Sequence, residues 1–120
     1  VYVGNLSAAR DYTDVRDVVR AYWLLAEQGV AGEVYNIGSG VARTVKSLLD
    51  GLIAHSRVAI RVEVDPARFR SVDVPLTVAD PSRLKAATGW QPQVPFEHTL
   101  RDILDDARAA VAEAIANSQA

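Results

Sequence analysis

The sequence predicts an α/β fold with few short strands and about four helices. Three observations lead there. Four segments carry apolar residues at helical spacing, most of them behind a capping residue. Short apolar or alternating runs lie between those segments. With 49% of its 120 residues hydrophobic, the chain can bury one core.

Val1-Tyr2-Val3 is strand-like. Thr13 or Asp14 can cap a first helix, since a short oxygen-bearing side chain accepts from the free N–H groups of the first turn. Val15, Val18, Val19, Tyr22 and Leu25 or Ala26 supply the inner stripe of that helix, and Gly29 a left-handed stop. Glu33-Val34-Tyr35-Asn36-Ile37 reads as a buried strand ended by Gly38-Ser39-Gly40. Thr44 caps a second helix with Val45, Leu48, Leu49, Leu52 and Ile53 inward. Ile60, Val62 and Val64 alternate with Arg61 and Glu63, the pattern of a half-buried strand. Two prolines and mixed charge between Asp65 and Val78 indicate an ordered loop with one short strand. Asp80-Pro81 sets a cap with proline at the first helical position, and Gly89 closes that short helix. Trp90 to Pro95 is an extended linker. Phe96, Leu100, Ile103, Leu104, Ala107, Val111 and Ile115 stripe one long helix that frays into the polar tail Asn117–Ala120. No internal repeat or low-complexity segment interrupts this order.

A strand as apolar as Val34–Ile37 calls for neighbours on both sides, and two or three short strands make a poor free-standing sheet. A start at Val1 rather than methionine points the same way, so the sequence reads as a fragment of a larger fold. Fifteen acidic against thirteen basic residues, a net charge of −2, argue against a nucleic-acid partner. No apolar run approaches the roughly twenty residues of a membrane span, and no membrane partner is expected. The absence of cysteine removes disulfides and thiolate metal sites and makes the cytoplasm the expected compartment.

Two stretches draw attention. Arg10-Asp11-Tyr12-Thr13-Asp14-Val15-Arg16-Asp17 and Arg68-Phe69-Arg70-Ser71-Val72-Asp73-Val74-Pro75 both set arginines beside carboxylates at the edge of a regular element. A guanidinium holds phosphate oxygens two at a time in a planar fork, and a carboxylate accepts from sugar hydroxyls. The plain alternative is a capped helix start with surface salt bridges and an ordinary charged loop. That alternative explains Asp14 and Asp17 through the helix dipole, but not Arg10, which gains nothing from standing ahead of a helix start.

Other chemistry is poorly supplied. Val34-Tyr-Asn-Ile-Gly38-Ser-Gly40 runs a strand through Gly-x-Gly towards a helix, with Glu63 where a ribose-binding acid would stand, but Arg43 occupies the third glycine position of a dinucleotide fingerprint. A tight strand-to-helix turn accounts for it. The tyrosines at 2, 12, 22 and 35 are followed four residues later by Leu6, Arg16, Ala26 and Ser39, so no Tyr-x-x-x-Lys pair exists. His55 and His98 lack partners at metal-ligand spacing, and Asp105 and Asp106 read as a solvated face. No catalytic residue, cofactor-binding residue or metal ligand is assigned.

Taken in order, Gly4-Asn5-Leu6, Arg10-Asp11-Tyr12, Asp14-Val15-x-Asp17, Tyr35-Asn36-Ile37-Gly38-Ser39-Gly40, Asp65-Pro66-x-Arg68-x-Arg70-x-x-Asp73-Val74-Pro75, Asp80-x-Ser82-Arg83-Leu84 and Thr88-Gly89-Trp90-Gln91-Pro92 resemble the C-terminal part of the extended short-chain dehydrogenase/reductase family, the NAD-dependent epimerase/dehydratases. The resemblance covers nearly the whole chain. Within the family it is most similar to the GDP-4-keto-6-deoxy-D-mannose reductases, with GDP-mannose 4,6-dehydratases and nucleotide-sugar 4-epimerases next.

The resemblance implies an extended Rossmann-type enzyme of nucleotide-sugar metabolism. Residues 1–120 would be its substrate-binding portion, and the dinucleotide-binding half, with the catalytic Ser/Thr and Tyr/Lys, would be absent. It implies that Arg10 and Arg70 reach the nucleotide diphosphate, that Asp73 holds ribose hydroxyls, and that Asn5 lines the nucleotide side of the cleft. The partner it implies is a nucleotide-diphosphate sugar, with GDP favoured. The cofactor would be NADP or NAD in the intact enzyme, with none bound by this chain alone, and the chain itself would be inactive. Self-association or pairing with the missing half is expected. A reading from another class is a non-catalytic interaction module whose arginines bind an acidic protein.

Overall fold

The computed structural model describes residues 1–70 and 74–118. Five strands and four helices follow in the order β1 (Tyr2–Val3), β2 (Ala9–Asp11), α1 (Val15–Gln28), β3 (Ala42–Thr44), α2 (Val45–Ala54), β4 (Glu63–Val64), a single 3-10 turn (Pro66–Arg68), β5 (Leu76–Thr77), α3 (Ser82–Thr88) and α4 (Phe96–Ser118). The strands form two small sheets. In one, β1 runs parallel to β4, Tyr2 opposite Glu63. In the other, β2 lies between β3, antiparallel with Arg10 opposite Arg43, and β5, parallel with Arg10 opposite Thr77. The fold is mixed α/β, as the sequence predicts.

The helices are well placed by local chemistry. Asp14 caps α1, its Oδ1 accepting the Arg16 N–H at 2.9 Å, and Thr44 caps α2 by accepting the Ser47 N–H at 3.0 Å. Gly89 ends α3 in the left-handed region, φ 68°. Gly29 does not adopt the predicted left-handed stop. It is extended, φ −70°, and glycine is needed because a Cβ would stand 2.5 Å from the Leu25 carbonyl oxygen. Pro81 is the cap of α3 rather than its first residue, so Asp80 lies one position ahead and accepts from the Ser82 N–H at 3.0 Å.

The strands depart further from expectation. Glu33–Ile37 joins no ladder among the described residues, so the predicted buried strand is not formed, and Val34 is 73% exposed. A strand exists through the hydrogen bonds of its neighbour. Here the Val34 carbonyl is taken by Arg83 Nη1 at 3.1 Å instead, and the Arg83 guanidinium also pairs with Glu33. Of Ile60–Val64 only Glu63 and Val64 pair. The ladders of β2 and β3 fall on Ala-Arg-Asp and Ala-Arg-Thr, which carry no strand pattern of their own.

The core is small. Ala21, Leu84 and Trp90 are fully buried, with Leu24, Leu25, Tyr35 and Ile37 packed around them, and Leu100 is buried separately where α4 meets α2. At that crossing a Cβ on Gly51 would stand 2.4 Å from Leu100 Cδ1. The face of α1 turned inward holds Asp17, Val18, Ala21, Leu24 and Leu25, whereas Val15, Val19, Tyr22 and Trp23 of the predicted apolar side or next to it are exposed. The radius of gyration is 18.0 Å, against about 14 Å for a compact chain of this length. Apolar surface is therefore left uncovered on α1, on Val34 and along the second half of α4, where Val111 and Ile115 are exposed.

Asp17 is the main correction to the surface salt-bridge reading of the first helix. It is 2% exposed, and its carboxylate accepts from the backbone N–H groups of Gln93 and Val94 at 3.0 Å and from Arg20 Nη2 at 2.9 Å. Its carbonyl takes the Trp90 indole N–H at 2.9 Å. The extended Trp90–Pro95 segment is thereby fastened to the first turn of α1. Burial alone would raise the Asp17 pKa, but the hydrogen bonds from Arg20, Val94 and Gln93 outweigh it and hold the carboxyl below 3.8.

Candidate functional site

Side chains alternate across a strand, so Ala8, Arg10 and Tyr12 point to one side of β2 and its approaches and Asp11 to the other. The first side opens on a cavity of about 260 Å³ lined by Asn5, Ala8, Arg10, Tyr12, Val45, Arg68 and Arg70. Three of the residues singled out in the sequence, Asn5, Arg10 and Arg70, thus come together from segments up to 65 positions apart in the chain. Asp73 lies outside the described residues.

Each lining segment is held by local geometry. Asn5 Oδ1 accepts from the Ser7 N–H at 2.9 Å and from Ser7 Oγ at 2.7 Å, which turns the chain from β1 towards β2. Arg10 Nη1 donates to the Ala9 carbonyl at 2.8 Å. Asp65 caps the 3-10 turn by accepting the Ala67 N–H at 2.9 Å, and the Arg68 N–H returns to the Asp65 carbonyl at 3.0 Å. Gly4 allows this turn to lie against the end of β1, because a Cβ there would stand 2.8 Å from the Arg68 carbonyl oxygen. Beside the cavity, Tyr12 and Phe96 pair at 6.2 Å, and the Arg43 guanidinium lies over the Phe96 ring at 4.3 Å.

The opposite side of β2 explains the Gly-x-Gly turn. The Asp11 carboxylate accepts from the Ser39 N–H at 3.0 Å, the Gly40 N–H at 2.8 Å and the Ala79 N–H at 3.3 Å, and also from Ser39 Oγ. Burial opposes its ionisation, but these hydrogen bonds prevail and lower its pKa below 3.8. A dinucleotide loop works by offering such N–H groups to a pyrophosphate. Here a side chain of the same protein holds them. Gly38 is required for contact rather than for ligand approach, since a Cβ would stand 2.4 Å from the Ala79 Cβ. The residues of this turn therefore do not fit a dinucleotide. A second cavity of about 740 Å³ shares Arg10 with the first and is lined also by Asp11, Tyr22, Tyr35, Asn36 and Thr77 to Asp80.

Sequence reasoning missed Arg68, Tyr12 and Val45 as members of the cavity. The signal for Arg68 was its place two residues before Arg70 in an otherwise ordered loop. The signal for Tyr12 was its place two residues after Arg10, on the same side of an extended segment, whereas Val45 carried none, because the pairing of β2 with β3 brings it there. Among the described residues no group of three or more His, Cys, Asp or Glu could hold a metal ion, and no helix is long and apolar enough to cross a membrane.

Comparison with known proteins places this arrangement. The pattern of the GDP-mannose 4,6 dehydratase family matches residues 1–103. GDP-6-deoxy-D-mannose reductase of Pseudomonas aeruginosa is 36% identical over 111 residues, which covers 92% of this chain and 36% of that protein. Among solved structures, RMD from Pseudomonas aeruginosa complexed with NADPH superposes with a TM-score of 0.81 at 34% identity, over 88% of this chain and 35% of its own. UDP-glucose 4-epimerase of Thermotoga maritima, solved with UDP-glucose, gives a TM-score of 0.76 at 31% identity, over 92% of this chain and 35% of its own. The chain spans 35–36% of the length of these relatives. The shared pattern runs from β1 into α4 and takes in every segment that lines the smaller cavity, and the chain belongs to the GDP-mannose 4,6 dehydratase family.

Proposed function

We propose that residues 1–120 are the nucleotide-sugar-binding portion of an enzyme that reduces a GDP-4-keto-6-deoxy-mannose type substrate. The observation that carries this reading is the 260 Å³ cavity in which Arg10, Arg70 and Asn5 meet. Arg10 and Arg70 grip the diphosphate oxygens through charge-assisted hydrogen bonds, Asn5 lines the nucleotide side, and Asp73 accepts from the ribose hydroxyls. The reductase reading is supported by the 36% identical relative, and the dehydratase reading by the family pattern. A 4-epimerase would use the same grip.

In the longer enzyme a nicotinamide cofactor, NADP or NAD, would supply the hydride for the 4-keto group. That cofactor belongs on the portion outside these residues, because Asp11 already holds the N–H groups of the Gly38–Gly40 turn. This chain's part in the reaction is to bind and orient the substrate. Its uncovered α1 face and the unpaired Glu33–Ile37 segment are where that other portion would pack.

Calorimetric titration of GDP into the chain tests the reading. Arg10→Ala and Arg70→Ala should each weaken binding by about ten- to a hundredfold, from charge-assisted bonds worth roughly 1.5–3 kcal/mol. The double variant should depart from additivity because both groups touch the same phosphates. Lysine at either position should rescue in part, restoring the charge without the fork. An unchanged GDP dissociation constant in both single variants would make them ordinary surface residues and defeat the assignment.

A further inference from the structure

We infer that Arg68 is a third arm of the anion clamp and the residue that distinguishes two linked phosphates from one. The inference rests on the nucleotide-sugar reading and deepens it. Arg68 lines the same cavity as Arg10 and Arg70, and no carboxylate is among the described residues lining that cavity. Three guanidinium groups at one small cavity place positive charge around it. Arg43, directly opposite Arg10 across the β2–β3 ladder, adds to the positive field. Two planar forks bonding in pairs already crowd the terminal oxygens of a single phosphate. A third fork has work to do when a second phosphate is present.

Arg68 is suited to that role by its mounting. The 3-10 turn that carries it is capped by Asp65, begins with Pro66 and lies against Gly4, so its backbone is pinned on both sides. Asp65 Oδ2 meets the Nε edge of Arg68 at 3.4 Å, which orients the guanidinium from behind. Its side chain remains 58% exposed, so removing it leaves the core intact.

Titration of the 120-residue chain with GDP, GMP and guanosine tests this. Arg68→Ala and Arg68→Gln should weaken GDP binding by about tenfold while changing GMP binding by less than about twofold and guanosine not at all. Arg68→Lys should recover part of the loss. Arg10→Ala and Arg70→Ala should lower GDP and GMP affinity together. Unchanged thermal melting of the Arg68 variants would confirm that the loss is local. If Arg68→Ala and Arg68→Gln bound GDP as tightly as the parent while Arg10→Ala and Arg70→Ala did not, Arg68 would have no place in the clamp, though the site itself would stand. Equal losses for GDP and GMP would overturn the discrimination. If none of the three arginines mattered, the site reading would fall and this inference with it.

Discussion

Replacing Asp17 with asparagine should destabilise the chain by about 2 kcal/mol, and replacing it with alanine by about 3–5 kcal/mol. The carboxylate serves two backbone N–H groups, of Gln93 and Val94, and the Arg20 guanidinium, from a position 2% exposed to solvent. Alanine leaves both N–H groups without an acceptor, each at a cost of roughly 1–3 kcal/mol. Arg20 is 30% exposed and recovers some hydration, so its pair adds less. Asparagine keeps the volume and one acceptor but turns a donor towards other donors. Urea unfolding followed by Trp90 fluorescence, in a Trp23→Phe background, reads the effect directly. The pH dependence supplies a second check. Asp17 has a folded pKa below its unfolded value, so its contribution is fully present above about pH 4 and is lost as pH falls through the folded pKa. The gap between the parent and Asp17→Asn should therefore narrow as the solution is acidified. An Asp17→Asn variant within about 0.5 kcal/mol of the parent from pH 3 to 7 would refute the view that this carboxylate fastens the Trp90 segment to α1.

Other outcomes follow from the same geometry. Asp14 is held well below the usual carboxylate range by the Arg16 side chain, against burial and with help from Thr99, so Asp14→Ala should uncap α1 and cost about 1–2 kcal/mol, measured by chemical unfolding. Gly51→Ala should cost about 1–3 kcal/mol by forcing Leu100 from its rotamer at the α2–α4 crossing, and a Leu100→Ala partner change should relieve part of it in a double-variant cycle. The exposed Val15, Val19, Tyr22, Trp23 and Val34 should make the chain self-associate and bind an apolar dye, and a clean monomer by light scattering at high concentration would contradict this. The purified chain should not turn over NADPH with a 4-keto sugar nucleotide, and measurable turnover would overthrow the assignment of catalysis to another portion.

What the sequence determined by itself is what acts over a turn or two of chain. Asp14 and Thr44 were legible as caps because the N–H groups they serve lie two or three residues on, and Gly89 because a single residue must take the left-handed conformation. The long stripe from Phe96 likewise announced one helix. Arg10 was legible as a candidate because an arginine ahead of a helix start has no local explanation, and Arg70 through the resemblance of its loop to the family pattern.

Only the tertiary structure decided how those pieces meet. Arg10 reaches Arg68 and Arg70 because β1, β2 and the 3-10 turn converge, through the close approach at Gly4 and through ladders whose partners stand more than thirty residues apart. The Ala-Arg-Asp of β2 and the Ala-Arg-Thr of β3 become strands by pairing, and Glu33–Ile37, the most strand-like run, does not. Asp17 turned from a dipole-stabilised surface acid into a buried anchor because a segment beginning 73 residues later brings its N–H groups to it. Hydrogen bonds within a helix are set by sequence neighbours, whereas strand ladders, buried carboxylates and the walls of a cavity are set by whatever distant chain arrives beside them.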